Sequence, residues 1–88
     1  MSTNDKATEI NEREFEETIN NPKNPIVVVD FFAEWCMPCL MMSPVIEDMA
    51  EKFKKIKFAR INIDENQSLA SKFKIYSIPC LIIFKQGQ

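Results

Sequence analysis

Eight consecutive residues, Ile26 to Ala33 (IVVVDFFA), are apolar at every position but one. β-Branched and aromatic side chains favour extended backbone, and a strand apolar on both faces must be covered on both. The run therefore predicts the central strand of an α/β sheet with helices on either side. The exception is Asp30. An ionised carboxylate in such a strand is expensive unless it is paired, so Asp30 is expected to hold its proton more tightly than a surface aspartate.

The rest of the chain fits around that strand. Asn11 with Glu14 three residues on forms a capping-box pattern, with Ile10 and Phe15 at the staple positions and Phe15 and Ile19 on one stripe, so a short helix is expected that ends at Asn20-Asn21-Pro22. From Cys36 to about Phe53 the residues Leu40, Met41, Val45, Ile46, Met49, Ala50 and Phe53 recur at helical spacing, with Pro44 inside the helix, where a kink is expected. Lys57 to Asp64 alternates as a second strand, and the strand–helix–strand order implies a right-handed parallel crossover. A short helix follows over about Gln67 to Phe73. Cys80 to Phe84 (CLIIF) is a third apolar strand, introduced by Ile78-Pro79. Residues 1–9 read as a flexible polar lead, and 10–88 as a single domain.

The segment joining the first strand to its helix carries the chemistry: Trp35-Cys36-Met37-Pro38-Cys39. At a helix N-terminus the first amide N–H groups lack partners and the helix dipole places partial positive charge there. A thiolate at Cys36 is stabilised by both, which makes it the nucleophile of the pair. Cys39 lies three residues on, along the same helical face, close enough to form a small disulfide with Cys36. Pro38 has no N–H to waste in the first turn. Two thiols so placed can attack a disulfide, hold it as a mixed disulfide and resolve it internally. Half of a zinc site is the competing interpretation, but it needs two more ligands, and the chain has no histidine and one further cysteine. Two inert buried thiols are the other.

Composition excludes several classes. Eighty-eight residues, 45% hydrophobic and 27% charged, suit one folded domain and not a disordered chain. A net charge of −2 offers no basic excess for nucleic acid. The apolar runs Ile26–Val29 and Leu81–Phe84 are four residues each, against the ~20 needed to span a membrane. Met1 to Thr8 is polar, without the apolar centre of a secretory signal, so a cytoplasmic location is expected. Charge is uneven, net −8 over residues 1–51 and +6 over 52–88, which in one domain implies interleaved halves.

Val29-Asp30-Phe31-Phe32-Ala33-Glu34-Trp35-Cys36-Met37-Pro38-Cys39, the later Asn62-Ile63-Asp64, and Ile78-Pro79 with Phe84-Lys85-Gln86-Gly87 closely resemble the thioredoxin family in order and spacing. The resemblance covers about residues 8–88. It implies a thioredoxin fold, a central mixed sheet flanked by helices, and protein-disulfide reduction. The implied partners are disulfide-containing proteins and a dedicated reductase as electron donor. No cofactor is implied beyond a redox-active Cys36–Cys39 disulfide. Asp30 corresponds to the buried acid that exchanges a proton with the resolving cysteine, Cys39; a structural hydrogen bond is its plainer alternative. Arg60 stands where the family usually has a lysine, and its fixed charge cannot relay a proton. Pro79 matches a cis-proline that presents backbone to substrate, with Ile78 lining the groove. Trp35 is expected partly exposed over the active-site loop, or else as a core residue. A binding or redox-sensing module that holds a partner without turnover is the alternative function.

Three departures from the family pattern stand out. Met37 replaces a common glycine between the cysteines, and Met41 and Met42 follow one turn on, either as a methionine rim for varied partners or as core filling. Cys80 replaces the usual threonine after Pro79, which places a third thiol near the site, either as a small core residue or as a redox participant. The family's domain continues past the turn at Lys85–Gly87 with another strand and helix. The expectation is a domain lacking both, of reduced stability, with Cys80–Phe84 as an unpaired edge open to self-association.

Overall fold

A computed structural model describes residues 7–88. Its elements are β1 (Thr8–Glu9), α1 (Glu12–Asn20), β2 (Ile26–Phe32), α2 (Met37–Lys52), β3 (Lys57–Asn62), α3 (Gln67–Lys72) and β4 (Cys80–Lys85). The sheet has the order β1-β3-β2-β4. β2 pairs parallel with β3, Asp30 opposite Arg60, and antiparallel with β4, Phe31 opposite Cys80. The run Ile26–Ala33 thus supplies a central strand, buried at six of its seven positions.

The sheet buries two faces. One cluster gathers Phe15 and Ile19 of α1 and Leu69 of α3 with Val27, Val29, Phe31, Ala59, Ile61 and Phe84. Phe15, Phe73 and Phe84 meet there edge to face, with centroids 5.4–5.6 Å apart. On the opposite face Ile46 and Ala50 of α2 cover Val28 and Phe58. A third cluster joins Phe32, Ala33, Cys36 and Cys39 where β2 runs into α2. Even residues of β2 thereby face α2, and odd residues face α1 and α3.

α1 starts as its sequence predicts: Asn11 Oδ1 accepts from the Glu14 amide and Glu14 Oε1 accepts from the Asn11 amide, each at 3.0 Å. Such a cap contributes about 1 kcal/mol. The same end of the helix is tied to α3. The Glu12 amide donates to Asn66 Oδ1 (2.9 Å), Asn66 Nδ2 donates to the Asn62 carbonyl (2.9 Å), and the Leu69 amide donates to Glu12 Oε1 (3.3 Å).

Three expectations need correction. Thr8 and Glu9, assigned to a polar lead, form a short parallel strand on β3, extended by the Ile10 amide to the Arg60 carbonyl at 2.9 Å. Both side chains are exposed and the pairing is made by backbone, so hydropathy carries no trace of it. The rest of that lead, residues 1–6, lies outside the described residues. α2 buries less than its periodicity suggests: Leu40, Met41, Val45 and Phe53 are exposed. One sheet face can cover a stripe of the helix but not its whole apolar circumference. Met41 is therefore not core filling, while Met42 packs against the Val28 cluster.

α3 ends through Lys74, a non-glycine residue at φ 55°, with the Lys74 amide bonded to the Ser71 carbonyl (3.1 Å) and the Ile75 amide to the Ala70 carbonyl (2.9 Å). Left-handed backbone crowds a Cβ at a cost of roughly 1 kcal/mol. Lys74→Gly is expected to stabilise the domain by about 0.5–1 kcal/mol, since the exposed lysine side chain has little packing to lose. A urea midpoint unchanged or lowered would contradict this.

Candidate active site

The loop after β2 turns at Ala33, whose carbonyl accepts the Cys36 amide (3.2 Å), and α2 begins with Cys36 as its N-cap and Pro38 in its first turn. Cys36 and Cys39 are joined as a disulfide with Cα atoms 5.2 Å apart. The Cys39 amide donates to Cys36 Sγ at 3.2 Å. An otherwise unpaired amide of the helix's first turn is thus spent on the sulfur of Cys36, the contact that stabilises a thiolate once the disulfide opens. Cys36 is 4% exposed and Cys39 1%. Both are packed into the Phe32 cluster, Cys39 the more deeply of the two.

Asp30 lies two residues before Phe32 and so on the sheet face that carries the cysteine pair. It is 1% exposed. Its Oδ2 accepts from Arg60 Nε at 3.2 Å, while Oδ1 has no hydrogen-bond partner. Burial pushes the carboxyl pKa above the ordinary aspartate value of 3.8, and the hydrogen bond and charge of Arg60 pull against that rise without cancelling it. The guanidinium carbon of Arg60 also lies 4.2 Å from the centroid of the Phe32 ring.

Around the sulfurs the surface is apolar. Trp35 is 69% exposed, and its indole Nε1 donates to Asp64 Oδ2 at 2.8 Å. Met37 is exposed, as is Pro38. Ile78 packs beside Cys36 and Cys39, and the Ile78–Pro79 peptide is cis. Cys36, Cys39, Phe32 and Ile78 are therefore in one cluster, with Trp35 exposed in the loop before α2 and Met37 and Pro38 exposed in its first turn. Cys80 is not in that cluster. It is a free, half-buried thiol opposite Phe31 and packs against the α1–α3 face with Val29 and Phe84.

Two features escaped the sequence reading. Asp64 is the anchor of Trp35, a contact 29 residues away along the chain and invisible to local pattern. Tyr76, in the loop that leads to Ile78-Pro79, is largely exposed. A tyrosine two residues before Ile78-Pro79 was the available signal. Among the described residues, no group of three His, Cys, Asp or Glu side chains could hold a metal ion, and no helix is long and apolar enough to cross a membrane.

A family model for thioredoxin matches residues 6–88. The thioredoxin of Rickettsia bellii is 42% identical over 83 residues, covering 93% of this chain and 78% of that protein. Thioredoxin 1 of a Nostoc species is also 42% identical over 83 residues, covering 93% of this chain and 77% of its own length. Among solved structures, the short form of thioredoxin F from spinach chloroplast has a TM-score of 0.90 at 30% identity, covering 100% of this chain and 80% of that one.

Proposed function

Since the chain belongs to the thioredoxin family, we propose that it reduces protein disulfides with Cys36 as attacking thiolate, Cys39 as resolving thiol and Asp30 as the buried acid. As a thiol–disulfide oxidoreductase of this family it acts by dithiol–disulfide exchange, on disulfide-containing substrates and with a reductase as donor. The observation that carries the assignment of roles is the Cys39 amide spent on Cys36 Sγ at the start of α2. It favours the thiolate on Cys36 and leaves Cys39, deeper and on the Asp30 face, to await a base.

Each turnover is balanced in two steps. The Cys36 thiolate attacks one sulfur of the substrate, forming a mixed disulfide and releasing the other sulfur as a thiolate. Cys39 then gives up its proton, attacks Cys36 Sγ, and the substrate's second sulfur leaves with the electron pair. Trp35, Met37, Pro38, Ile78 and Pro79 form the surface against which an extended substrate segment lies. Exposed Met37 and Met41 give that surface side chains that adapt to varied partners. Cys80, packed on the opposite sheet face, serves as a small core residue. The expected location is the cytoplasm.

The direct test is reduction of insulin disulfides by the chain recycled with dithiothreitol. Faster precipitation of the insulin chains than with dithiothreitol alone is expected, and equal rates would sink the assignment.

Self-association is a further part of this reading. β4 is an edge of the sheet among the described residues, and Leu81 and Ile83 line an apolar groove with Val28, Met49, Phe53, Ile56 and Phe58. A second copy is one occupant of that edge, because two β4 strands related by a two-fold axis can pair antiparallel and continue the sheet. Sedimentation velocity is expected to show mass rising with concentration, and a monomer at every concentration would overturn it.

A further inference from the structure

We propose that the solvent face of α2 nearest the thiols is a further substrate-binding surface, on which Leu40 and Val45 select polypeptides that carry apolar residues close to the reacting cysteine. The proposal rests on the reading of Cys36 as the attacking thiolate and adds the class of substrate it serves.

That face changes character along its length. Met37, Leu40, Met41, Pro44 and Val45 recur at i, i+3, i+4, i+7 and i+8, so they form one continuous stripe. All five are exposed, Met41 to 71%. The next positions on the same face are Asp48, Glu51 and Lys52, also exposed. On its other side the helix packs Cys39 into the Phe32 cluster and Ile46 and Ala50 onto Val28 and Phe58. A helix laid on a sheet needs one apolar stripe, with polar residues opposite. From Asp48 onward α2 obeys that rule, and in the two turns beside the redox pair it does not. Packing of the domain leaves the outer stripe unexplained, and contiguous exposed apolar surface marks a place of contact.

The exchange chemistry names the occupant. The stripe begins at the residue after Cys36, so a chain bonded to Cys36 Sγ passes beside Met37. Such a chain leaves its own cysteine in two directions. One arm lies along Ile78 and Pro79, and the other crosses the start of α2. From Met37 to Val45 the helix rises about 12 Å, the reach of about four extended residues. The side chains of the stripe are apolar, so the residues of this arm that gain by lying on it are apolar too. Met37 and Met41 adapt to their shape, while branched Leu40 and Val45 fix the course of the arm. Folded proteins keep most such residues inside. The preferred substrate is therefore an unfolded or locally opened polypeptide, in which a disulfide and its apolar neighbours are exposed together.

The test uses two symmetric peptide dimers, each joined by one disulfide. One carries leucine at the second and fourth positions on both sides of its cysteine, and the other carries serine there. Second-order rates of reduction by prereduced protein are compared as a ratio within each protein, which cancels any change in the reactivity of the thiols. The unaltered chain is expected to reduce the leucine dimer about tenfold faster. In the double variant Leu40→Ser, Val45→Ser the ratio should fall to about twofold or less; Leu40→Gln, Val45→Thr serves if that protein does not fold. Asp48→Ser, one turn further along the same face, should keep the tenfold ratio. In the mixed disulfide trapped on Cys39→Ser, the methyl groups of the leucine peptide should show nuclear Overhauser contacts to Leu40 and Val45. A ratio near one in an unaltered chain that reduces both dimers would overturn the proposal and leave the function standing. So would a tenfold ratio kept by the folded double variants, or peptide contacts confined to Trp35 and Ile78. A kept ratio together with loss of concentration-dependent mass would give the stripe to a second copy of the chain instead. If the unaltered chain reduces neither dimer, the functional reading falls as well.

Discussion

Replacing Cys36 by serine is expected to reduce insulin cleavage to the rate of dithiothreitol alone, whereas replacing Cys39 leaves the first step intact and stops the second. The asymmetry follows from the start of α2. The amide of residue 39 and the helix dipole stabilise a thiolate at position 36, and a serine hydroxyl there is not ionised near neutral pH. Cys39→Ser retains the nucleophile but not the resolving thiol. It should accumulate one equivalent of substrate as a mixed disulfide on Cys36, read as an added mass that dithiothreitol removes. A Cys36→Ser variant that still accelerates insulin reduction would show that the roles have been placed on the wrong sulfurs. So would capture by Cys36→Ser in place of Cys39→Ser.

The second large effect concerns Asp30, and its sign differs between stability and rate. The folded chain raises the pKa of this group above its unfolded value, so between the two values the native state binds more protons than the unfolded one. The stabilisation that comes from keeping Asp30 protonated is complete below about pH 4 and is lost as the pH rises through the raised native pKa. Above that range the native state carries a buried carboxylate with one oxygen unpartnered. Asp30→Asn removes the charge at constant shape, and the partly exposed Arg60 can turn to water. At pH 8 the variant should be more stable by about 1–3 kcal/mol. For a domain of this size each kcal/mol is worth about 4–8 °C in Tm. Near pH 3.5 the difference should shrink toward zero. Rate moves the other way: the variant lacks the proton acceptor, so the resolving step at neutral pH should slow by tenfold or more. Equal stability of the two proteins at pH 8 would remove the premise that burial dominates at Asp30.

The features most legible in the sequence are those whose physical cause is local. The Asn11–Glu14 capping box needs four neighbouring residues and formed as written. The double-faced strand Ile26–Phe32 and the cysteine pair at a helix start are likewise contained within short windows. Features that depend on pairing across the sheet were harder to see. The face on which Cys80 packs is decided by its register with Phe31 on β2, and a residue beside Pro79 in sequence therefore lies on the far side of the sheet from Asp30 and Phe32. The partnership of Asp30 with Arg60 was suggested only by the family resemblance; that one oxygen is held and the other left free is a matter of rotamer and distance. For α2, apolar periodicity identified the helix correctly and overstated how much of it is covered. Leu40, Met41 and Val45 satisfy the period but are exposed, and Phe53 keeps half its surface in water on the groove it shares with Val28 and Phe58.

The junction at Asn66 has a consequence for how this domain opens. Glu12 and Leu69 each contribute a donor or acceptor to the other's helix, with Asn66 bound between Glu12 and Asn62. Two short helices far apart in the chain thus share their first turns, and neither can fray at that end without exposing unsatisfied amides of the other. Local unfolding of α1 and α3 is therefore a single cooperative event, and their first amides should be protected as one unit. The helix that carries the thiols, α2, stands on the opposite face of the sheet and takes no part in those hydrogen bonds. Ile63 and Ile78, however, pack against both the α1–α3 cluster and the cysteine cluster, so opening on the far side is expected to loosen the wall beside the redox pair.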